Sequence, residues 1–462
     1  MTLVNDFSSI RQSDNENFIH PWEGMADIGT NERTFTETAN GIYVTTETGK
    51  TLIDGPAGMW CVQIGYGNAE IAEAMAQQAR NLAYFSPFNN ANSVPAKLAS
   101  EIAKRTPGDL NHVFFTTGGS TAVDTAIRFV HFRNNLMGRP EKKIIISRQK
   151  AYHGSTYLAA SVSGKERDKG WLDQAQDLAY FLPDVNPYKR PDGISVDAFL
   201  DAKIADLETA ILEIGADRVA AFIAEPILAS GGVIVPPKGY HKRCLEVCRK
   251  HDILYISDEV VTGWGRLGHW FASEDVFDIV PDIITSAKGL TSGYVPMGAC
   301  IISDALIDSV SGKNSKGATF SNGFTYSGHP VAAAAALKNI EIFERDGILD
   351  HVKAVAPHFQ ERLRALRGHS IVGDTRGMGL VGCIECSVTA GDQHLEADRA
   401  IGARIDHHCQ ELGLMLRPII NMCVFSPPLI ITASQIDQMF DIMEEAIKRT
   451  TLELQSATDS QE

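Results

Sequence analysis

From about residue 110, short apolar runs alternate with longer segments in which apolar residues recur every three or four positions. The runs are continuous and rich in β-branched and aromatic residues, which is typical of strands buried on both faces. The longer segments have the period of amphipathic helices. This alternation predicts an α/β fold with a mostly parallel sheet covered by helices on both faces. The runs are "HVFFTT", "KIIIS", "RVAAFIAEP", "ILYISDE" and "DIITSAK", and the clearest helical segments are "STAVDTAIRFVHFRNNL" and "HKRCLEVCRKHD".

The rhythm changes at Pro330, which begins an alanine-rich helical segment. Further helices follow, with a strand pair in "IVGDTRGMGLVGCIEC" and a last helix at about 434–449. Near the N-terminus, "GIYVTTETGKTLIDGPAG" alternates at period two, which predicts a small antiparallel hairpin. We therefore predict a large domain at 59–329 and a smaller α+β domain formed by 1–58 together with 330–462.

Composition and charge limit the classes of partner. The chain has 462 residues, 44% of them hydrophobic, and only the first 18 residues and the last 11 look like loose termini. A net charge of −15 argues against nucleic acids and anionic membranes as main partners. No apolar run approaches the roughly 20 residues of a membrane helix, and the N-terminus does not resemble a signal peptide. We expect a cytoplasmic enzyme.

The eight cysteines lie mostly inside apolar segments, as buried free thiols do in a reducing compartment. The one C-x-x-C, "CIEC" at 383–386, has no second ligand pair at metal spacing. We predict no metal site.

Ligands of open α/β sheets gather at the carboxyl ends of the strands, so the residues after each run are candidates. In "FFTTGGSTAVDTA", Gly119, Ser120 and Thr121 open a helix, and backbone N–H groups, a hydroxyl and the helix dipole make an anion site there. The alternative is an ordinary glycine turn with a Ser/Thr N-cap. The motif alone does not decide between them.

Two further strand ends carry charges. Asp258 ends "ILYISD", and a buried carboxylate there would pair with a protonated ring nitrogen or, alternatively, form a structural ion pair or N-cap. Lys288 follows "DIITSA", where desolvation would lower its pKa and prepare its amine to form a Schiff base. The nearby "GWGRLG" at 263–268 fits a dinucleotide motif, but no helix pattern follows it.

Tyr152, after "KIIIS", offers a surface on which an aromatic ring could stack, or is a core aromatic. A phosphate cradle, a ring stacker, an acid for a ring nitrogen and a Schiff-base lysine are together what pyridoxal phosphate requires of a protein. Their conjunction is far more specific than any single part.

The sequence resembles the class III aminotransferases of pyridoxal phosphate fold type I, in the amine:pyruvate or omega-transaminase branch. The segments that carry the resemblance include "GMWCVQIGYG", "AFIAEPILASGGVIVPP", "ISDEVVTGWGR", "SAKGLTSGYVPMGA", "FTYSGHPVAAA" and "GLMLRPIINMCVFSPPL". They span nearly the whole chain. The resemblance implies a homodimer with shared active sites, or a tetramer, acting on a small amine donor and a keto-acid acceptor such as pyruvate.

The resemblance assigns cofactor roles to individual residues. Lys288 would form the Schiff base and move the proton, Asp258 would keep the ring nitrogen protonated, and Val260 would face the ring opposite Tyr152. Glu225 would lie near the cofactor, with a nearby ion pair as the alternative. Thr325 is similar to a threonine that reaches the phosphate from the neighbouring subunit. Thr121 stands where the family usually has a glutamate, so any contact of that glutamate is in doubt.

The resemblance also implies a substrate pocket. Arg417 is similar to the family's mobile arginine, which pairs with the acceptor carboxylate, and its alternative is a surface ion pair. Ornithine-type relatives restrain that arginine with a glutamate where this chain has Ser230, so donors with one plain amine end are favoured over dicarboxylates. Trp60 and Phe88 would form an aromatic wall, or are core residues.

We therefore predict a transaminase that works by a ping-pong mechanism with an S preference. A decarboxylase or aminomutase on the same fold would share Lys288 and Asp258 and stays an alternative. A noncatalytic binding protein is a further one.

Overall fold

The computed structural model describes residues 6–387 and 396–459. Its strands are β1 Thr36–Asn40, β2 Tyr43–Thr46, β3 Thr51–Asp54, β4 His112–Thr116, β5 Ile144–Arg148, β6 Ala179–Leu182, β7 Val219–Ala224, β8 Leu254–Asp258, β9 Ile283–Ser286, β10 Gly298–Ile302, β11 Val372–Met378, β12 Val381–Cys386, β13 Leu414–Met415, β14 Arg417–Ile419 and β15 Met422–Phe425. Its helices are α1 Phe7–Asn17, α2 Ala57–Trp60, α3 Ala69–Leu82, α4 Ser93–Ala103, α5 Gly119–Leu136, α6 Tyr157–Ser161, α7 Val196–Ile214, α8 Tyr240–Lys250, α9 Asp304–Asp308, α10 Pro330–Arg345, α11 Ile348–Ala365, α12 Glu396–Arg399, α13 Ile401–Leu412 and α14 Ala433–Asp459.

The central sheet has seven strands in the order β4-β10-β9-β8-β7-β5-β6. All of its strands run parallel except β10, which pairs antiparallel with β4 and β9. Every residue of β7 and β8 is buried. The predicted α/β class with a mostly parallel sheet is confirmed, and β10 is the strand that departs from it.

Neighbouring residues of the central strands point into different cores. Phe222 of β7 packs in a cluster with helices α7 and α8, while Ile223 packs in a cluster with α5. Tyr255 and Ile256 of β8 divide in the same way. Because side chains alternate between the two faces of a strand, these two clusters show that helices cover both faces of the sheet. A ligand is therefore expected at the carboxyl ends of the strands.

The N-terminal hairpin and the C-terminal part of the chain form a second core. A sheet of order β1-β2-β3-β13 and an antiparallel sheet of order β11-β12-β15-β14 contribute to it, and the predicted hairpin is β2 paired with β3. One cluster joins Ile53 to Phe359 and Phe440. Helix α10 packs into this core and into another that it shares with α4 and β10. The division at 59–329 stays a prediction.

The expectation of a loose N-terminal segment is wrong for its described part, which forms α1. Asp6 caps this helix by accepting a hydrogen bond from the backbone N–H of Ser8 at 3.2 Å. Arg11 pairs with Glu47 at the hairpin turn. At the other end, α14 extends ten residues beyond the predicted end at 449, to Asp459. A cap and several long-range side-chain contacts, rather than apolar periodicity, hold α1.

The sequence predicted neither a metal site nor a membrane-spanning helix, and both features can be sought among the described residues. No group of three or more metal-ligating side chains occurs among them, and both cysteines of "CIEC" are buried. None of the described helices is long and apolar enough to cross a bilayer. The "GWGRLG" segment forms turns with no helix after it, and its Arg266 is buried and donates to the carbonyl oxygens of Leu380 and Pro427.

Candidate active site

A cavity of about 140 Å³ lies at the carboxyl edge of the central sheet. Strands β7, β8 and β9 each end there, and α5 begins there. Nine of the predicted site residues line it, namely Trp60, Gly119, Ser120, Tyr152, Glu225, Ser230, Asp258, Val260 and Lys288. His153, Gly154 and Val261 complete the lining. The residues predicted from the strand ends and from the family resemblance therefore lie together at one cavity.

Lys288 follows β9 as the first residue of a short 3-10 turn that ends at Thr291. Its φ of +45° lies in the left-handed region, which costs a residue with a side chain about 1 kcal/mol. Asn339 of α10 fixes this turn, since its side-chain amide donates to the carbonyl oxygens of Gly289 and Leu290 at 2.9 and 3.1 Å. A Cβ on Gly289 would come within 2.7 Å of Trp264, so only glycine fits beside the lysine.

Burial lowers the pKa of Lys288, and the negative charges of Asp258 and Glu225 oppose that shift. Desolvation is the larger effect because the ammonium loses most of its hydration. The Nζ atom lies 5.7 Å from the centroid of the Trp60 ring. A lysine held in this way loses its proton more readily than one on the surface, as a nucleophilic or proton-transferring amine must.

Asp258 is 4% exposed and ends β8. Its Oδ2 atom lies 2.6 Å from Nδ1 of His153, and its Oδ1 accepts a bond from the backbone N–H of Val260 at 3.2 Å. His153 was not predicted. The signal was present in "AYHGSTY", where a histidine adjoins the predicted ring-stacking tyrosine, but nothing in the sequence pairs residues 105 positions apart.

Glu225, after β7, is a buried carboxylate whose pKa is raised by desolvation. Its two oxygens accept hydrogen bonds from the backbone N–H groups of Tyr152 at 2.9 Å and Ala229 at 3.1 Å. No ion pair involves it within the described parts of the chain. The alternative of a structural ion pair therefore does not describe it, and its contacts are those of a tether between two loops.

The first turn of α5 presents the predicted anion site. No side chain caps its N-terminus at Gly118, and Ser120 Oγ accepts from the backbone N–H of Ser155 at 3.0 Å. Gly154 has φ +140°, and a Cβ there would lie 2.5 Å from that hydroxyl. Thr121 does not line the cavity, because its hydroxyl donates back to the carbonyl oxygen of Gly118 at 2.9 Å.

Arg417 begins β14 and lies above Trp60, with 4.8 Å between Cζ and the ring centroid. Trp60 itself is buried and has a φ of +61° at the end of the irregular helix α2. Burial lowers the pKa of Arg417, and no carboxylate of the described residues forms an ion pair with it. The alternative of a surface ion pair is therefore wrong.

Two predicted residues lie away from the cavity of this chain. Phe88 is 67% exposed. Thr325 is also exposed, and its carbonyl oxygen accepts a bond from the hydroxyl of Tyr84 at 2.6 Å. Their roles at the site, one of which requires the neighbouring subunit, stay predictions.

Residues 25–447 match the family described as aminotransferase class-III. The chain belongs to this family. It is 40% identical over 420 residues to a putrescine–pyruvate aminotransferase of Pseudomonas aeruginosa, covering 89% of this chain and 90% of that protein. It is 39% identical over 422 residues to the mitochondrial gamma-aminobutyrate transaminase 1 of Oryza sativa subsp. indica, covering 90% of this chain and 81% of that protein.

Among solved structures, a thermostable (S)-enantioselective omega-transaminase from Thermomicrobium roseum matches this aminotransferase with a TM-score of 0.92 at 32% identity. The match covers 96% of this chain and 98% of that one. Class III aminotransferases depend on pyridoxal phosphate and transfer amino groups to keto acids. The predicted family, fold type, enzyme class and cofactor are confirmed.

The residues at the cavity of this aminotransferase fit that cofactor. An uncapped helix N-terminus suits a phosphate, and a buried carboxylate with a free lone pair suits a ring N–H. A Cβ on Gly119 would lie 3.1 Å from both methyl groups of Val260, so the glycine leaves open the space between the helix and that side chain. The Nε2 atom of His153 is buried without a partner in the described structure.

Proposed function

We propose that this aminotransferase moves the amino group of a primary amine or an ω-amino acid to pyruvate, in two half-reactions at one site. The observation that carries the proposal is Arg417, a cation without a carboxylate partner in the described structure, stacked on Trp60, whose ring Lys288 also faces. A guanidinium in that position binds the carboxylate of a small keto acid by two parallel hydrogen bonds. The relative that acts on putrescine and pyruvate supports this acceptor.

Lys288 is the proposed Schiff-base and proton-transfer residue. Its lowered pKa favours the neutral amine. A neutral amine can take the proton from the substrate carbon and return it to a carbon of the cofactor. Bound pyridoxal phosphate supplies an electron-withdrawing ring that stabilises negative charge on that carbon. Asp258, whose carboxylate contacts His153, would keep the ring nitrogen protonated.

The remaining predicted residues would bind and orient the cofactor. Gly119 and Ser120, with the backbone of Thr121, would hold the phosphate at the start of α5. Tyr152 and Val260 would contact the two faces of the ring. Trp60 excludes water from the side on which Lys288 and Arg417 approach.

We propose a homodimer in which Thr325 of one subunit completes the site of the other. We extend this assignment to Phe88, because its ring would lie 3.3 Å from a Cβ on Gly323, in the same exposed segment as Thr325. Both residues are exposed, and they lie among other exposed aromatic side chains, Phe85 and Tyr326. Such a patch on a folded protein commonly marks an interface. The cytoplasmic location stays a prediction.

The absorption spectrum of the purified protein tests the function. We expect a visible band from the cofactor joined to Lys288, its loss on addition of an amine without acceptor, and its return on addition of pyruvate. A band that the amines leave unchanged would contradict transamination. Release of carbon dioxide from an amino acid with no keto acid consumed would instead identify a decarboxylase.

A further inference from the structure

A second cavity, of about 540 Å³, lies next to the active site. Ser230 lines both cavities and is buried between them. Lys165 lines the second cavity, and its ammonium donates a hydrogen bond to the Ser230 hydroxyl. Lys165 therefore stands at the boundary between the two cavities.

Lys165 is held against the active site by a second contact. Its Nζ atom lies 5.3 Å from the centroid of the Tyr152 ring, the ring proposed to stack on the cofactor. An ammonium group has three N–H donors, and Ser230 is the one acceptor that Lys165 has in the described structure. Two donors remain for a ligand.

Two other cations of this cavity are neutralised by carboxylates. Lys150 pairs with Asp184 at 2.5 Å, and Arg376 pairs with Glu385 at 2.7 Å. Lys165, in contrast, forms no ion pair with any residue of 6–387 or 396–459. A partly buried cation without a counter-charge is unfavourable unless a ligand supplies one.

We propose that Lys165 binds an anionic group at the far end of the amine donor, and that the donor is therefore an ω-amino acid or ω-amino sulfonate rather than a diamine. This inference rests on the proposed function. The two cations then have separate tasks, because Arg417 receives the carboxylate of the acceptor while Lys165 receives the far group of the donor. A diamine would bring a third positive charge to the same place.

Three four-carbon amines test the proposal, since they differ chiefly in far-end charge: 4-aminobutyrate, 1-aminobutane and 1,4-diaminobutane. The amine half-reaction is followed by cofactor absorbance in single turnovers without acceptor, so that Arg417 has no keto acid to bind. We expect the wild type to prefer 4-aminobutyrate to each of the other two by at least about tenfold.

Lys165→Met should lower the apparent affinity for 4-aminobutyrate about 10-fold to 100-fold, which corresponds to the loss of a hydrogen bond to a charged group. The maximal rate of the half-reaction should change little, because the far group binds equally in ground state and transition state. Reaction with 1-aminobutane should stay within about twofold.

Lys150→Met is the matched control, because it removes a lysine of the same cavity that already has a carboxylate partner. It should leave all three amines unaffected. Arg417→Leu tests the competing assignment. If that variant, and not Lys165→Met, loses affinity for 4-aminobutyrate, then Arg417 binds the far group and the proposal is wrong.

The pH dependence gives an independent readout. The pKa of Lys165 is lowered to about 8, chiefly by burial; Asp168 and Glu225 oppose this shift, and Arg167 and Arg417 add to it. The wild-type advantage over Lys165→Met should therefore fall as pH rises through about 8. Ionisation of the substrate amine cancels in this ratio, and a constant ratio would contradict the proposal.

The two proposals fail in different ways. If none of the three amines bleaches the cofactor, the proposed transamination of such amines is wrong. If 1-aminobutane reacts as well as 4-aminobutyrate in both wild type and Lys165→Met, transamination stands and the anion-binding role of Lys165 is wrong.

Discussion

Nδ1 of His153 lies 2.6 Å from Oδ2 of Asp258, and both side chains are buried. The other carboxylate oxygen accepts a single backbone bond from Val260. This arrangement fixes the rotamer of the carboxylate and leaves lone pairs directed at the cavity. We therefore predict that His153 is a positioning residue, which would act on a bound ring through Asp258.

Replacing His153 by phenylalanine should weaken the binding of pyridoxal phosphate about 10-fold to 100-fold, since a hydrogen bond to a charged group contributes about 1.5–3 kcal/mol. His153→Gln keeps a donor and should recover part of the loss. Titration of the cofactor-free protein measures the dissociation constant, and the position of the absorption band reports the state of the ring. Equal affinity and an unshifted band in both variants would exclude this role.

Lys288→Met should abolish turnover, with a fall of more than about 10³-fold. The same variant makes a prediction about stability. Because the pKa of Lys288 is lowered in the folded protein, the unfolded chain binds more protons between that pKa and about 10.5, so wild-type stability rises with pH across this window.

The cofactor-free Lys288→Met variant does not bury a protonated ammonium and so lacks the desolvation cost that destabilises the wild type below this window. It should be more stable than the cofactor-free wild type at neutral pH, and the difference should shrink as pH approaches 10.5. Urea unfolding at several pH values measures it. A variant less stable than wild type at pH 7 would show that packing of the lysine chain outweighs desolvation of its charge.

Arg417→Leu should raise KM for pyruvate about 100-fold, because the carboxylate loses two charged hydrogen bonds. Propanal, an acceptor of the same length without the carboxylate, should be used at least as well as by the wild type. Arg167→Leu is the control, since that arginine is exposed and pairs with Asp168. An equal loss with both acceptors would assign Arg417 a structural role.

Mixing two inactive variants tests the shared site. In a heterodimer of Lys288→Met and Thr325→Glu subunits, one site contains both changes and the other contains neither. Random refolding of an equal mixture should therefore recover about a quarter of wild-type activity. If both residues serve the same subunit, the mixture should show no gain over the separate variants.

The sequence predicted the central strands because β7, β8 and β9 are buried on both faces and read as uninterrupted apolar runs. Asp258 and Lys288 were candidates because each stands at the carboxyl end of such a run, whereas Glu225 was assigned by the family resemblance. Strand β10 was not recognised, since an antiparallel neighbour leaves no separate mark in a short apolar segment. The contact of His153 with Asp258 depends on tertiary packing.

Lys165 lies in a loop that carries no strand-end signal, so nothing in the sequence connects it to Ser230. Helix α1 was missed for a related reason. Its stability depends on a cap and a contact with the hairpin, and its own periodicity is weak. Local patterns report burial well, but they do not report which loops meet.

The two carboxylate oxygens of Glu225 accept hydrogen bonds from different loops, one from the backbone N–H of Tyr152 and the other from the turn that contains Ser230. The loop proposed to support the cofactor and the turn proposed to recognise the substrate therefore share one anchor. Substitutions at Ser230 and Lys165 should therefore change the donor range alone. A substitution at Glu225 should weaken cofactor binding and disturb the substrate pocket together.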